Sequence, residues 1–534
     1  ASDVYKRQDV KIDDEILKAE LGSNGDVQLK NIIRTIQKEQ NAIIRNTSDR
    51  IMVIQGAAGS GKTSIALHRI AYLLYHDRKN LKSSSVLVLS PNGVFSDYIS
   101  HILPELGEEN IREMSFDLFA YKRLKNVVSD CEDRYDLIER QIAGLCDEKL
   151  LKEKLSRDFL DRMEGYLVEL EDSLMNFRDV EHRGVVKKEQ EIIELFYFKF
   201  MDIPLLSRMD AVAEYFIDEV ETLKGFDLPD EEREAVKSRF YRMYETRDLY
   251  VLYNRFLRQE GFLSLPQVQY EKRKLRYEDV YPVLYLKYRL ETQQEDSGVR
   301  HLIVDEMQDY SMIQYLIIQR LFKCRMTILG DREQTMDGEQ QDVLTFLPKI
   351  FGKDICRIVM NKSYRNTVEI ASYANKLAGI TEVELFERHG KPVVEKEFPG
   401  LEEALESVVR ELRLAKQAVI AENADEGVED IISYETAAVI ARTADEARET
   451  YYILKEKLEA EGFDTKERLS LLHRDSTNFQ KGLTVTTFYM AKGLEFDQVF
   501  SVFPGEDRSP IVERARYIAA TRALHELYMY EVVK

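Results

Sequence analysis

A glycine-rich segment between an apolar run and a helical run constrains this sequence more than any other feature. Residues 51–55 read IMVIQ, a short β-rich stretch, and residues 64–75 read SIALHRIAYLLY, with apolar residues at helical spacing. Between them lies Gly56-Ala57-Ala58-Gly59-Ser60-Gly61-Lys62-Thr63, a complete GxxxxGK[ST] pattern. A strand, this loop and a helix in that order predict a phosphate-binding loop on a parallel α/β sheet.

The residue types of this loop suit a nucleoside triphosphate. Glycines let backbone N–H groups close around phosphate oxygens, and the helix N-terminus adds the positive end of its dipole. Lys62 is expected to neutralise the β- and γ-phosphates, and the Thr63 hydroxyl is expected to ligate Mg²⁺. The expected ligands are ATP and Mg²⁺, and the alternative is a glycine turn without a ligand. The candidate nucleotide-binding residues are Gly56, Ala57, Ala58, Gly59, Ser60, Gly61, Lys62, Thr63 and Ser64.

A second apolar run ends in adjacent carboxylates. Residues 301–305 read HLIVD, and Glu306 follows directly. In open α/β sheets, ligands bind at the carboxyl ends of the strands. Asp305 fits the carboxylate on the Mg²⁺ side, and Glu306 fits the residue that orients and deprotonates the attacking water. Such a pair alone is usually a solvated loop, but the glycine loop upstream favours the catalytic interpretation.

The chain is too long for one hydrophobic core, so several domains are expected. Apolar runs at 85–90 and 325–329, and later at 437–442, 482–487, 498–503 and 527–532, predict strands with helices between them. Charged helical segments dominate from 121 to 298. The predicted fold class is α/β, with two doubly wound parallel sheets and a large helical insertion in the first. The predicted domains are a helical segment at 1–50, a first core at 51–120 and 299–350, an insertion at 121–298 and a second core at 351–534.

Composition restricts the location and the partners. The net charge of −20 argues against wholesale coating by nucleic acid, although it permits a local basic channel or a basic protein partner. Four scattered cysteines without a CxxC pair indicate reduced thiols in the cytoplasm. The sequence has no run of eighteen apolar residues, so no membrane span is expected. The first residue is Ala rather than Met, which favours a fragment over a native N-terminus.

The motifs and their order resemble the UvrD/Rep superfamily 1 helicases. Asp305-Glu306-Met307-Gln308-Asp309 resembles that family's DExxQD element. Four later segments resemble further elements in the family's order, and Gln40 matches a glutamine ahead of the loop. These segments are Gly330-Asp331-Arg332-Glu333-Gln334, Asn361-Lys362-Ser363-Tyr364-Arg365, Ala491-Lys492-Gly493-Leu494-Glu495-Phe496 and Tyr517-Ile518-Ala519-Ala520-Thr521-Arg522-Ala523.

The resemblance implies two RecA-like domains that share one site for ATP hydrolysis. It implies that Gln40 reads adenine, Tyr364 stacks on adenine and Glu495 lies near the nucleotide. It further implies that Gln334 senses the γ-phosphate and that Arg365 and Arg522 reach the γ-phosphate from the second core. The implied catalytic set is Lys62, Glu306, Gln334, Arg365 and Arg522. Because the arginines lie on the other core, transition-state charge is fully stabilised only when the two cores close.

Several departures are similar to the HelD subgroup, which includes motors associated with RNA polymerase. Tyr489 and Met490 precede AKGLEF where the family has a strand-contacting His, and the sequence has no Trp for base stacking. The interval from Arg365 to Thr484 is too short for the large duplex-engaging insertion of UvrD-type enzymes. The expected partners are nucleic acid (DNA) and RNA polymerase, for a monomer whose N-terminal coiled-coil arm is absent or removed. The alternatives are a 3′→5′ DNA helicase or translocase and an inactive P-loop scaffold.

Overall fold

The computed structural model describes most of the chain. The described residues run from 40 to 533, apart from 57–58, 78, 92–110, 293–297, 332–342, 353–354, 361, 364–365, 381–383, 386–387, 423–433, 464, 475 and 477–480. Among them, no helix combines the length and the apolar composition that crossing a bilayer requires.

Two six-stranded sheets organise the fold, and every strand pairing within each of them is parallel. The first sheet has the order β10-β1-β9-β8-β2-β3, and the second has the order β13-β18-β17-β14-β16-β15. In chain order the strands are β1 (Ile51–Gly56), β2 (Val86–Leu89), β3 (Arg112–Met114), β4 (Asp130–Cys131), β5 (Val180–His182), β6 (Val185–Lys187), β7 (Lys274–Leu275), β8 (His301–Val304), β9 (Arg325–Gly330), β10 (Ile355–Met360), β11 (Lys362–Ser363), β12 (Glu384–Leu385), β13 (Val394–Phe398), β14 (Thr436–Ala441), β15 (Leu469–Leu471), β16 (Gly482–Thr487), β17 (Phe496–Pro504) and β18 (Ala523–Val532). The α/β fold class with two RecA-like domains is thereby confirmed.

Successive side chains of each central strand enter different hydrophobic cores. Ile51 and Val53 of β1 face the core shared with the helical insertion, whereas Met52 and Ile54 face the helix Lys62–His76. This alternation follows from the two-residue period of a strand. Both faces of the sheet are therefore covered, which explains why the central strands are continuous apolar runs.

Helices cover both sheets and fill the segment between β3 and β8. The α-helices are Lys62–His76, Phe116–Leu124, Arg134–Ile142, Glu148–Lys154, Arg157–Ser173, Glu189–Glu194, Arg208–Lys224, Asp230–Tyr241, Leu249–Gln259, Tyr277–Leu290, Met312–Leu321, Val343–Phe351, Val368–Ala378, Leu401–Glu422, Ala444–Ala460, Thr465–Arg468, Phe488–Ala491 and Pro510–Thr521. Residues 40–44 are also helical. We call the segment from residue 130 to residue 290 the helical insertion; its strands form the short ladders β4–β7 and β5–β6.

Four strands of the two six-stranded sheets were not predicted, and each forms an edge of its sheet. These strands are β3, β10, β13 and β15. Of these, β10 pairs with β1 over its whole length, so the first sheet extends to Met360. Residues 355–360, which lie beyond the boundary expected at residue 351, thus belong to the sheet that carries the glycine loop.

The helical insertion contacts both cores. Most of its apolar side chains join one continuous hydrophobic core with Ile51, Val53 and other residues of the first sheet. Its first helix, Arg134–Ile142, joins both cores: Leu137 is buried in this first hydrophobic core, whereas Ile138 is buried in the hydrophobic core of the second sheet. Tyr135 and Ile142 pack against that same core. One insertion helix thus lies between the two sheets.

Candidate nucleotide site

The glycine loop connects β1 directly to the helix Lys62–His76. Gly59 and Gly61 have φ angles of 72° and 81°, in the left-handed region that side chains with a Cβ rarely adopt. Gly61 is the N-cap residue, and no side chain of the described residues caps the helix there. The N–H groups of the first turn are consequently available to an anion. Thr63 and Ser64 are half-buried in that turn.

Neighbouring side chains approach the glycines of the loop closely. A Cβ on Gly56 would lie 2.3 Å from Ser60 Oγ, so a side chain there would displace the Ser60 hydroxyl. Ser60 is fully buried, and its hydroxyl has no hydrogen-bond partner among the described residues. A Cβ on Gly61 would lie 3.3 Å from the amide nitrogen of Gln40, which places that nearly buried glutamine beside the loop. These features fit a phosphate-bearing ligand.

Lys62 turns back over the loop that carries it. Its ammonium donates to the carbonyl of Gly56 at 2.7 Å and lies 4.0 Å from a carboxylate oxygen of Asp331. Asp331 follows β9, the strand next to β1. The lysine is therefore held between two strand ends by groups that a phosphate can replace.

Asp305 and Glu306 follow β8 on the same edge of the sheet. Burial, together with the charge of Glu306, raises the pKa of Asp305, and Lys62 and Lys492 oppose that rise. Glu306 has a φ of 53°, one of only two positive values outside glycine among the described residues. Such a conformation costs about 1–3 kcal/mol and persists only where surrounding contacts fix it.

Gln308 supplies one of those contacts. Its side-chain nitrogen donates to Glu306 at 2.5 Å, and its side-chain oxygen accepts from the backbone N–H of Asp331 at 2.9 Å. A Cβ on Gly330 would lie 2.3 Å from that oxygen, so glycine is required for this approach. Gln308 thus ties the acidic loop after β8 to the end of β9. The sequence places Gln308 and Asp331 within motifs, but no role for either residue was predicted from it.

Two cationic side chains form ion pairs with Asp309. No role was predicted for either of them from the sequence. Lys492 comes from the second core, is almost fully buried, and lies 2.7 Å from one carboxylate oxygen of Asp309 and 3.5 Å from Glu306. Arg134 comes from the helical insertion and lies 3.2 Å from the other oxygen of Asp309. Lys492 was visible within AKGLEF, but nothing in the local sequence signals the role of Arg134.

The remaining candidate residues divide into those that the structure describes and those that it does not. Arg522 is buried, and its guanidinium donates to the carbonyls of Ile518 and Leu494 within the second core. Leu494 lies two residues from Lys492, so Arg522 is close to the segment that contacts Asp309, and Glu495 is half-buried beside it. The other predicted residues lie outside the described part of the chain: Ala57, Ala58, Gln334, Tyr364 and Arg365.

Two parallel α/β sheets with a phosphate-binding loop, and with carboxylates at neighbouring strand ends, define a P-loop NTPase architecture. The sequence model of the UvrD/REP helicase N-terminal domain matches residues 36–336, more than half of the chain. The chain therefore belongs to the UvrD/REP helicase family, whose members are ATP-hydrolysing enzymes that use ATP with Mg²⁺.

Comparisons with individual proteins add little. No curated protein matches this chain. Among solved structures, it is similar to the crystal structure of the C-terminal domain of a possible DNA helicase from Lactobacillus plantarum WCFS1. That match has 23% identity and a TM-score of 0.23, and it covers 32% of this chain and 88% of the other.

Proposed function

We propose that this protein is an ATP-driven motor whose hydrolytic site lies at the carboxyl ends of β1, β9 and β8. The observation that carries the proposal is the convergence of Lys62, Asp331 and Glu306 from these three neighbouring strands. Phosphoryl transfer requires mainly positioning and charge stabilisation, and this edge supplies a cation, a loop of N–H donors and fixed carboxylates.

Each residue has a distinct part in the proposal. The loop from Gly56 to Ser64 binds the phosphates, Gln40 lies against the adenine, and Lys62 offsets phosphate charge. Thr63 and Asp305 are the proposed Mg²⁺ ligands, and the metal supplies positive charge at the phosphate oxygens. No group of three or more His, Cys, Asp or Glu side chains within the described ranges could hold a metal by itself. Such a small protein ligand set is usual for Mg²⁺, which takes phosphate oxygens and water as its other ligands.

Glu306 is the proposed general base that orients and deprotonates water. Gln334 and Arg365 keep their proposed places at the γ-phosphate, and Tyr364 and Glu495 keep theirs beside the nucleotide, all from the family resemblance. Arg522 is the proposed arginine finger. Its neighbour Leu494 belongs to the segment whose Lys492 contacts Asp309, which supports a place near the junction of the two cores.

ATP hydrolysis with Mg²⁺, assayed with single-stranded DNA or RNA polymerase present, tests this proposal. Glu306→Gln should lower kcat by at least about 10²-fold while ATP binding persists. Lys62→Ala should weaken ATP binding as well. Arg522→Ala should lower kcat by about 10³-fold or more, whereas the exposed Arg448→Ala should leave it unchanged. A wild-type chain without ATPase activity would instead favour the inactive scaffold.

We further propose that the motor remodels complexes of RNA polymerase with nucleic acid. Tyr489 stands where UvrD-type enzymes have a strand-contacting His, and it is almost fully buried with its hydroxyl donating to Glu139. Four aromatic residues of the insertion are likewise buried, namely Phe196, Tyr244, Tyr250 and Tyr253, whereas Phe198 is exposed. Side chains committed to internal packing are poor stacking platforms for bases. The net charge of −20 is compatible with a protein partner that has a basic surface.

A 3′→5′ DNA helicase or translocase is the second candidate, and the match to the UvrD/REP family favours it. Two measurements separate the candidates: co-purification with RNA polymerase, and stimulation of ATP hydrolysis by single-stranded DNA. Binding to polymerase, with release of its nucleic acid on addition of ATP, is the result expected of the first candidate. Strong stimulation by DNA without polymerase binding would establish the second.

A further inference from the structure

Within residues 130–290, all of which the structure describes, the helix Arg134–Ile142 is the one insertion helix that enters the hydrophobic core of the second sheet. Ile138 is 1% exposed and lies in that core, with Tyr135 and Ile142 packed beside it. The rings of Tyr135 and Tyr489 are 5.4 Å apart. The helix therefore bridges the two cores, because Leu137, the residue next to Ile138, is buried in the hydrophobic core that the insertion shares with the first sheet.

Polar contacts reinforce this docking along the helix. Glu139 accepts a hydrogen bond from the Tyr489 hydroxyl at 2.5 Å and another from the backbone N–H of Ala444 at 2.7 Å. Near the other end of the helix, Arg474 of the second core lies 2.8 Å from Asp136 and 3.1 Å from Asp133. A movement of the second core must therefore either carry the helix with it or break these contacts.

Arg134 connects this helix to the acidic loop of the first core. Its guanidinium donates both to the backbone carbonyl of Asp309 and to the carboxylate of the same residue. A guanidinium makes two such bonds in a fixed geometry, which a single ammonium cannot reproduce. The backbone N–H of Asp309 in turn donates to the carbonyl of Glu306 at 2.9 Å. The turn that orients Glu306 is thus held directly by Arg134.

We propose that Arg134 is a positioning residue for hydrolysis and that its helix transmits the position of the second core to the acidic loop. The inference rests on the proposed ATPase function and deepens it. Lys492 contacts Asp309 from the second core itself, and Arg134 contacts it from the helix that packs on the second core. The geometry around Glu306 thereby depends on closure of the two cores.

Steady-state ATP hydrolysis by variants of the full 534-residue chain tests this inference. Arg134→Ala should lower kcat by about 10–100-fold while the KM for ATP stays within about twofold, because the contact orients the loop and does not bind nucleotide. Arg134→Lys should restore only part of the rate. Arg140→Ala is the matched control: Arg140 lies on the same helix with similar exposure, and its carboxylate partners are Glu132 and Glu278 of the insertion. This control should keep kcat within about twofold.

Glu139→Ala tests transmission separately, and it is a second variant in case Arg134→Ala does not fold. It should lower kcat by about tenfold, and the double variant should lose little more than Arg134→Ala alone, since both changes break one coupled path. An unchanged kcat in Arg134→Ala or Glu139→Ala, or an equal loss in Arg140→Ala, would overturn the inference. Glu306→Gln distinguishes a failure of this inference from a failure of the proposed function. If that variant stays active, the proposed hydrolytic site itself is wrong.

Discussion

The Lys492 ammonium of the second core lies 2.7 Å from a carboxylate oxygen of Asp309 on the first core. Only 2% of the lysine side chain is exposed, and Glu306 lies 3.5 Å from the same nitrogen. A buried cation between two carboxylates is stabilising only while all three keep their geometry. The contact therefore links the arrangement of the acidic loop to the arrangement of the two cores.

Lys492→Met should uncouple the cores while preserving most of the apolar packing of the side chain. We expect kcat for ATP hydrolysis to fall by at least about tenfold, because Glu306 and Asp309 lose a shared cation. Small-angle X-ray scattering should report a larger radius of gyration. The control is Lys481→Met, which removes an exposed ion pair with Glu435. An unaltered rate and radius for Lys492→Met would contradict this prediction.

Gly330→Ala should destabilise the first core by about 1–3 kcal/mol through overpacking. The new Cβ would lie 2.3 Å from Gln308 Oε1 and 2.9 Å from the backbone nitrogen of Met307, which cannot move away freely. Urea denaturation followed by circular dichroism measures the change. Gly165→Ala is a control of opposite sign, since open space surrounds this helical glycine and alanine should stabilise it by about 1 kcal/mol. A stable Gly330→Ala would show that the acidic loop is not tightly held.

The insertion contains a buried ion pair, and replacing only one of its two residues should destabilise the fold. Lys154 lies 2.6 Å from Asp279, which also accepts from Tyr253, and burial is the main cause that raises the pKa of Asp279. Lys154→Met should cost about 3–5 kcal/mol, because it leaves a buried carboxylate without a counterion. Adding Asp279→Asn should recover most of that loss in urea denaturation, since the amide is neutral and still accepts from Tyr253. Equal stability of the single and double variants would refute this reasoning.

Stability should decline in mild acid partly because of His301. Burial lowers the pKa of His301 to about 3, and its ring lies 3.0 Å from the Thr327 hydroxyl. Below about pH 6.5 the unfolded state binds a proton that the folded state excludes, so stability falls by up to about 1.4 kcal/mol per pH unit toward pH 3. Above pH 6.5 this contribution is constant.

Urea midpoints measured between pH 5 and 7 check this prediction for His301. His301→Gln should give a shallower decline than the wild type, because a neutral amide replaces the excluded titrating group. The control is His473→Gln at an exposed position, which should keep the wild-type slope. Parallel slopes for His301→Gln and the wild type would contradict the assignment.

Burial determined which strands could be predicted. The central strands β1, β2, β8 and β9 are covered on both faces, so they are apolar runs that stand out in the sequence. Edge strands such as β10 and β13 contain exposed residues and have one unpaired side, so their composition resembles that of loops. The pairing of β10 with β1 is a contact between residues far apart in the chain, so no local pattern predicts it.

The sequence by itself determined the glycine loop, the acidic pair and the α/β character of both cores, because each depends on residues that are adjacent along the chain. Only the tertiary structure decided that Arg134 and Lys492 meet at Asp309, and that one insertion helix docks on the second core. Those contacts join residues more than a hundred positions apart. Their chemistry is ordinary ion pairing, which any surface arginine or lysine could provide, so no local pattern marks the particular pair that folding brings together.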